Sequence, residues 1–420
     1  SSRMHAMGVR CIHCHDPHTS KLRAQGNDLC LGCHQGKIDP VTHSHHDISQ
    51  PGGQCANCHM PLTTYMQRHP RRDHGFTIPD PTLTRDYDIP NACNRCHEDK
   101  PVKWAIEWTG KWYGKRMNRH TQRRARALAE ARRANEGAGK DLLALLNTEN
   151  SKFWRSAALG LSGPWLQSNP GLQRALFDSL VDKDPLVRTT SARMTETLLA
   201  NQGLPQPIRQ GIEGRLTGLL KDPVRSVRID AAWALRRSIS RYSDAGRELN
   251  DYLRFNSDQP TGALQIGVFH LDRLEETGNL DKAVGWMEKA VTWDPNSPFL
   301  HQSLAIAYSN KGEQKEAIES LKRAHKLEPD EAMYAYNLAL GLSEMESFEE
   351  AVRYLELTVQ LDENFTRAWY NLALARSRIG KNQEAIDTLR RAEELEPGNV
   401  DYIYTRATIL RDMKRYQDAL

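Results

Sequence analysis

Every cysteine of the chain, eight in all, falls within a C-x-x-C-H pentapeptide. The copies are Cys11-Ile12-His13-Cys14-His15, Cys30-Leu31-Gly32-Cys33-His34, Cys55-Ala56-Asn57-Cys58-His59 and Cys93-Asn94-Arg95-Cys96-His97. Two thiols at this spacing also serve redox dithiols and zinc sites. Neither of those uses needs a histidine directly after the second cysteine. Covalent attachment of a c-type haem does: each thiol adds to a vinyl group and the histidine becomes the proximal iron ligand. The pattern assigns Cys11, Cys14, Cys30, Cys33, Cys55, Cys58, Cys93 and Cys96 to four haems c. His15, His34, His59 and His97 are the proximal ligands.

Each iron then takes a sixth ligand or is left open. Methionine would raise the potential relative to a second histidine, and an open position would admit chemistry on a bound molecule. Histidine is the abundant candidate: beyond the proximal set, the first hundred residues hold His5, His13, His18, His43, His45, His46, His69 and His74. His18 lies just beyond the first proximal ligand in His15-Asp16-Pro17-His18 and is placed to serve a neighbouring iron rather than its own. His43 and His46, three apart, can serve two different irons from one turn, with His45 pointing away. His74 completes the distal set, its other ring nitrogen oriented by Asp73 or a backbone carbonyl. His5 and His45 stand in reserve, and His13 sits inside an attachment loop. Met4, Met7, Met60 and Met66 suit gap-filling against porphyrin faces better than ligation.

The elements that position these groups must be unusual. Residues 1–100 lack apolar runs and are rich in Gly, Pro, Asp, Asn and His. Such a segment buries too little apolar area to fold on its own. Covalently held macrocycles supply the missing apolar mass, so the expectation is short helices and loops wrapped around closely packed haems, an arrangement suited to electrons passing between irons.

The formal net charge of the whole chain is only +4, but it is unevenly spread. Residues 101–140 carry 11 Lys or Arg against 3 Asp or Glu, a net of +8. Trp104, Trp108 and Trp112 recur there at helical spacing, and read as packing against the haem segment or the next helix. Docking on haem propionates or an acidic partner is the functional reading of the charge. Nucleic acid is excluded, because haem attachment takes place outside the cytoplasm. From 141 to 250, Leu180-Val181-Asp182-Lys183-Asp184-Pro185-Leu186-Val187-Arg188 recurs as Leu219-Leu220-Lys221-Asp222-Pro223-Val224-Arg225-Ser226-Val227-Arg228. This resembles HEAT repeats. From 261 to 420 the period is 34 residues: Pro295, Pro329 and Pro397, with Glu363 in the missing proline slot; Ala283, Ala317, Ala351, Ala385 and Ala419; Gly278, Gly312 and Gly380. That is the tetratricopeptide pattern, an array whose concave face takes up peptides or protein surfaces. It holds 27 acidic and 19 basic residues, a net of −8.

The segments Gly8-Val9-Arg10-Cys11, Cys14-His15-Asp16-Pro17-His18, Lys21-Leu22-Arg23 and Cys58-His59-Met60-Pro61, with Arg72-Asp73-His74, Pro90-Asn91-Ala92-Cys93 and Trp112-Tyr113-Gly114, resemble a family of extracytoplasmic multihaem cytochromes c with C-terminal tetratricopeptide repeats. Its members are similar to octahaem cytochromes. The resemblance implies further motifs upstream and a chain that is a piece of a longer polypeptide, some of its histidines then serving irons held elsewhere.

The expected architecture is mainly α: a tetrahaem segment (1–100), a basic connector (101–140), HEAT-like helices (141–250) and tetratricopeptide repeats (261–420). The expected function is electron transfer to redox partner proteins, with the solenoid for docking or for self-assembly into an oligomer or filament. The competing class is a haem-dependent oxidoreductase acting on a small nitrogen or sulfur compound, for which Tyr65, Arg68 and Tyr87 are the available pocket residues. No stretch is apolar and long enough to span a membrane, and the expected compartment is periplasmic or cell-surface in a bacterium.

Overall fold

The computed structural model describes residues 2–66, 68–201, 203–273 and 280–418. Helix dominates, at 67%, and the chain divides into two compact units, residues 1–231 and 232–420.

In the first unit, the haem-motif segment is built from very short pieces: Cys11–Cys14, Asp28–His34, Pro40–Ser44, Cys55–His59 and Pro81–Tyr87. A two-stranded antiparallel hairpin, Leu62–Tyr65 with His69–Arg72, pairs Leu62 with Arg72 and Tyr65 with His69. Strands this short escape any periodicity test, so the sequence reads as loop there. Among the described residues, no Leu, Ile, Val, Met, Phe or Trp before Ala105 is buried. Instead Ile12, Leu22, Ile38, Val41, Ile48, Leu62 and Ile78 are exposed. The segment has apolar side chains and no protein core to receive them, the condition that a covalent macrocycle relieves.

The helices Val102–Tyr113 and His120–Arg132 follow. Much of the basic charge here is consumed inside the chain. Arg126 pairs with Asp86 at 2.7 Å and Arg124 with Glu149 at 3.1 Å. Arg133 donates to the Asp86 carbonyl at 2.9 Å. Tyr87 Oη donates to Glu130 at 2.6 Å, while Arg126 and Arg133 lie over its ring. Tyr87 is therefore a packing residue joining Pro81–Tyr87 to His120–Arg132.

Helical hairpins continue through Ala138–Thr148, Lys152–Leu161, Pro170–Ser179, Pro185–Leu199, Gln206–Leu219 and Arg225–Ala234. Their repeated Asp-Pro has a physical basis. Pro185 occupies the first helical position, where its missing N–H costs nothing, and the Asp184 carboxylate caps the Leu186 N–H at 3.0 Å. The Val-Arg that follows puts Val187 and Val227 fully inside. Arg188 reaches forward to Asp222 through two hydrogen bonds of 2.7 and 3.1 Å, and Arg155 does the same to Asp182 at 2.5 and 3.2 Å. One helical hairpin is thereby latched to the next.

In the second unit, the helices Leu280–Trp293, Pro298–Lys311, Gln314–Leu327, Ala332–Glu344, Phe348–Leu361, Thr366–Arg378, Asn382–Leu395 and Val400–Asp412 follow in antiparallel succession. This is the expected α-solenoid. Ala283, Ala317, Ala351 and Ala385 are all buried, letting paired helices approach closely. Pro295, Pro329 and Pro397 fall two residues beyond a helix end, as a residue that cannot continue the ladder should. Glu363, in the same slot, accepts from Trp369 Nε1 at 2.9 Å, as Pro295 accepts from His301 Nε2 at 3.0 Å. The turn before each second helix needs a left-handed residue. Gly312 (φ 83°) and Gly380 (φ 80°) supply it, and Glu346 (φ 58°) and Lys414 (φ 62°) adopt it at the intervening slots. Gly278 and Ala419 lie outside the described residues.

Candidate haem ligand sites

One helical turn places residues three apart on the same side, so a C-x-x-C turn aims both thiols at one macrocycle. The first three motifs lie in such turns, and the fourth in a run of tight turns after Asn91. Buried polar residues hold the turns in place. Asn27 donates to the Gly53 carbonyl and accepts from the Cys55 N–H, both at 2.8 Å, tying the second motif to the third. Asn91 accepts from the Asn94 N–H at 3.1 Å, and Asn94 donates to the Lys100 carbonyl at 2.8 Å, closing the fourth. Arg72 caps the Cys55–His59 helix by donating to the carbonyls of Ala56 and Met60.

Thiols of successive motifs crowd together. Burial, with Cys55 and Cys14 nearby, pushes Cys30 up to about 11; burial, with Cys93, Cys96 and Cys55 nearby, does the same to Cys58.

The histidines provide the sharpest test of whether a haem fits. With a metal–imidazole bond of about 2 Å and a ring centre about 1 Å beyond the nitrogen, two imidazoles that held one metal from opposite sides would have centres about 6 Å apart. Three of the motif histidines have another histidine ring at that separation. His15 and His74 are 6.3 Å apart, His59 and His43 are 6.0 Å apart, and His97 and His46 are 6.1 Å apart. In all three pairs at least one ring is fixed through Nδ1. His15 Nδ1–H donates to the Ser20 carbonyl at 3.0 Å, and His74 Nδ1–H to Arg72 at 2.9 Å. His59 Nδ1–H donates to Thr77 at 2.8 Å, and His46 Nδ1–H to Ser44 at 2.6 Å. Such bonds select the tautomer whose Nε2 is free to ligate, and raise its basicity. A cradle completes the picture at His46: a Cβ on Gly52 would lie 2.6 Å from the ring's Cγ and 2.9 Å from Nε2. Only glycine leaves room for that ring. Haem fits these residues.

Of the distal candidates read from sequence, His43, His46 and His74 are each brought against a proximal ring. His18 is not: it is exposed on a turn whose N–H groups bond to Asp16. His34 has no histidine ring against it among the described residues. His5 is exposed, and His13 Nδ1 accepts the Arg10 N–H at 3.0 Å within its own loop. His45 stacks on Trp112, ring centres 4.3 Å apart. Tyr65 is exposed beneath Arg71. Among the described residues, no three or more of His, Cys, Asp and Glu converge as ligands for a bare metal ion. A haem held by its cysteines would need only two histidines, which each of these pairs could supply. Asn27, Arg72, Asn91 and Gly52 are not identified from the sequence: Asn27 and Arg72 act across 12 to 28 residues of chain, and Asn91 and Gly52 act locally through loop geometry that carries no spacing pattern.

The comparisons with known proteins describe both ends of the chain. Residues 5–39 match the doubled CXXCH motif, and residues 274–297, 300–331 and 366–399 match the tetratricopeptide repeat. The chain thus carries a paired haem-attachment motif followed by tetratricopeptide repeats. No curated protein matches the sequence. Among solved structures, a crystal structure of MamA is 22% identical over 39% of this chain and 87% of its own, with a TM-score of 0.35. Residues 41 to the end of MamA from Desulfovibrio magneticus RS-1 give 21%, 39%, 89% and 0.35. YrrB, described as a TPR protein with an unusual peptide-binding site, gives 21%, 41%, 86% and 0.35.

Proposed function

We propose that the protein is a multihaem c-type cytochrome that passes electrons along four closely spaced haems and docks through its repeat solenoid to partner proteins or to further copies of itself. The observation that carries this reading is the set of histidine pairs at 6.0–6.3 Å. In it, Cys11/Cys14, Cys30/Cys33, Cys55/Cys58 and Cys93/Cys96 hold the haems, with His15, His34, His59 and His97 proximal. His74 is the distal partner of His15, His43 of His59, and His46 of His97. His18 remains the candidate that no proximal ring engages.

The haems supply one-electron chemistry; the protein's part is to orient, space and insulate them. The carbonyls on Nδ1 of His15, His46, His59 and His74 would make those rings stronger iron ligands, and ligation by two histidines would hold potentials below those of His/Met ligation. Crowded thiols of neighbouring motifs support short gaps between macrocycles. Residues 101–140 act as the connector, 141–250 as HEAT-like helices and 261–420 as the docking array. Because haem is attached outside the cytoplasm, the proposed compartment is periplasmic or cell-surface. Among the described residues, no helix is long and apolar enough to cross a membrane.

The test is intact mass under denaturing conditions, followed by redox titration. Four haems retained and low-spin, low-potential irons are the expected result. A bare chain or bound zinc overturns the reading. A high-spin iron that binds a small nitrogen or sulfur compound would transfer the chain to the oxidoreductase class.

A further inference from the structure

His43 and His46 are only three residues apart, yet they face different proximal histidines, His59 and His97. A continuous helix would carry both on one side. The helix Pro40–Ser44 instead stops at His45, whose backbone is left-handed (φ 56°, ψ 29°). A residue with a Cβ is disfavoured in that conformation, so the surroundings must hold it there.

Two successive residues at the end of the helix Val102–Tyr113 make the contacts that do so. The Trp112 indole lies flat on the His45 ring, 4.3 Å between centres and 15° between planes, and meets the His46 ring edge-on at 6.3 Å. Tyr113 Oη donates to the His43 carbonyl at 2.7 Å, and its ring lies 5.9 Å from the His43 ring. One helical turn thus touches all three residues of the split. Another residue of the helix, Trp104, packs on the proximal His97 at 4.7 Å.

We propose that Trp112 and Tyr113 are positioning residues for two haems at once. Trp112, by stacking on His45, holds the left-handed hinge that turns His43 toward the iron on His59 and His46 toward the iron on His97. Tyr113 fixes the His43 main chain. The inference rests on reading those four histidines as two axial pairs. It gives the tryptophan stripe a task more specific than filling space, and it makes His45 a hinge rather than a ligand.

The test uses the full, haem-loaded chain, with magnetic circular dichroism and electron paramagnetic resonance to count low-spin bis-histidine irons and far-ultraviolet circular dichroism to follow the fold. Trp112→Ala should convert two irons, those on His59 and His97, to high spin and leave the iron on His15 unchanged. Trp112→Phe should keep most of the low-spin signal, and Tyr113→Phe should perturb the iron on His59 alone. His45→Val, which disfavours the left-handed backbone without touching the helix, should reproduce Trp112→Ala. Glycine adopts that backbone unaided, so His45→Gly should be silent alone and should restore ligation to Trp112→Ala. Overturning results are low-spin signals that survive both Trp112→Ala and His45→Val, a His45→Gly that fails to rescue, or a His45→Gly that itself loses a ligand. Should the unsubstituted protein lack bis-histidine signals at these irons, the axial pairs fall and the inference with them. If it has them and only the substitutions fail, the inference falls alone.

Discussion

Gly52→Ala is the smallest change that should open an axial position. The glycine lies in the turn Pro51–Gly53 with a backbone outside the left-handed region, so alanine brings no strain of its own there. Its Cβ, however, would stand 2.6 Å from His46 Cγ and 2.9 Å from Nε2. Carbon–carbon contact is comfortable at about 3.5 Å, so the ring must retreat by about 1 Å. Against an iron–imidazole bond of about 2 Å, that retreat is half the bond length. The ring cannot slide sideways cheaply either, since its Nδ1–H is held by the Ser44 carbonyl at 2.6 Å. If the ligand stayed, overpacking would cost about 1–3 kcal/mol. The expected result is one iron, that on His97, passing from low to high spin while the irons on His15 and His59 keep their spectra. Gly214→Ala, in the helix Gln206–Leu219, is the control, because nothing lies within 4 Å of the added methyl. The reasoning is refuted if Gly52→Ala keeps every low-spin signal, or if the signal lost belongs to the pair His15 and His74.

Three further outcomes follow from the scaffold. Hydrogen bonding from Arg85, joined by Arg126, holds the Asp86 carboxyl down to about 2, against an ordinary value of 3.8; its stabilising effect is therefore present above about pH 4 and lost as pH falls towards 2, and Asp86→Asn should flatten that part of a melting-temperature-versus-pH curve. Asp222→Ala should deprive the Arg188 guanidinium, whose side chain is only 14% exposed, of its carboxylate while the Asp182 carbonyl still accepts from it, and destabilise the first unit by about 1.5–3 kcal/mol in denaturant unfolding without altering the haem spectrum. Glu346→Gly should raise the melting temperature, gaining about 0.5–1 kcal/mol, because Glu346 holds φ 58° at a slot that Gly312 and Gly380 fill elsewhere; a drop would mean that its side chain contributes more than its backbone costs.

These cases separate what spacing can reveal from what it cannot. Attachment of a haem is local chemistry, complete within five residues, so the cysteines and proximal histidines stand out in the sequence. The solenoid is equally legible, since each repeat packs only on its neighbours and must place Ala317, Ala351 and Ala385 at the same depth. The distal ligands are a different kind of problem. Arg72 caps the third motif's helix and offers its carbonyl to the His74 ring, whose centre lies 6.3 Å from that of His15. His18 follows the first motif closely in sequence, and Asp16 holds it in an exposed turn with no motif histidine ring against it among the described residues. His43 and His46 can be read as a pair that splits between two irons, but nothing in a histidine announces φ 56°. That angle is imposed at His45 by the ring of Trp112, from a helix on the other side of the fourth motif. A ligand placed by long-range packing is found only once the residues that pack on it are in view, and here those are the tryptophan and tyrosine at the end of the connector's first helix.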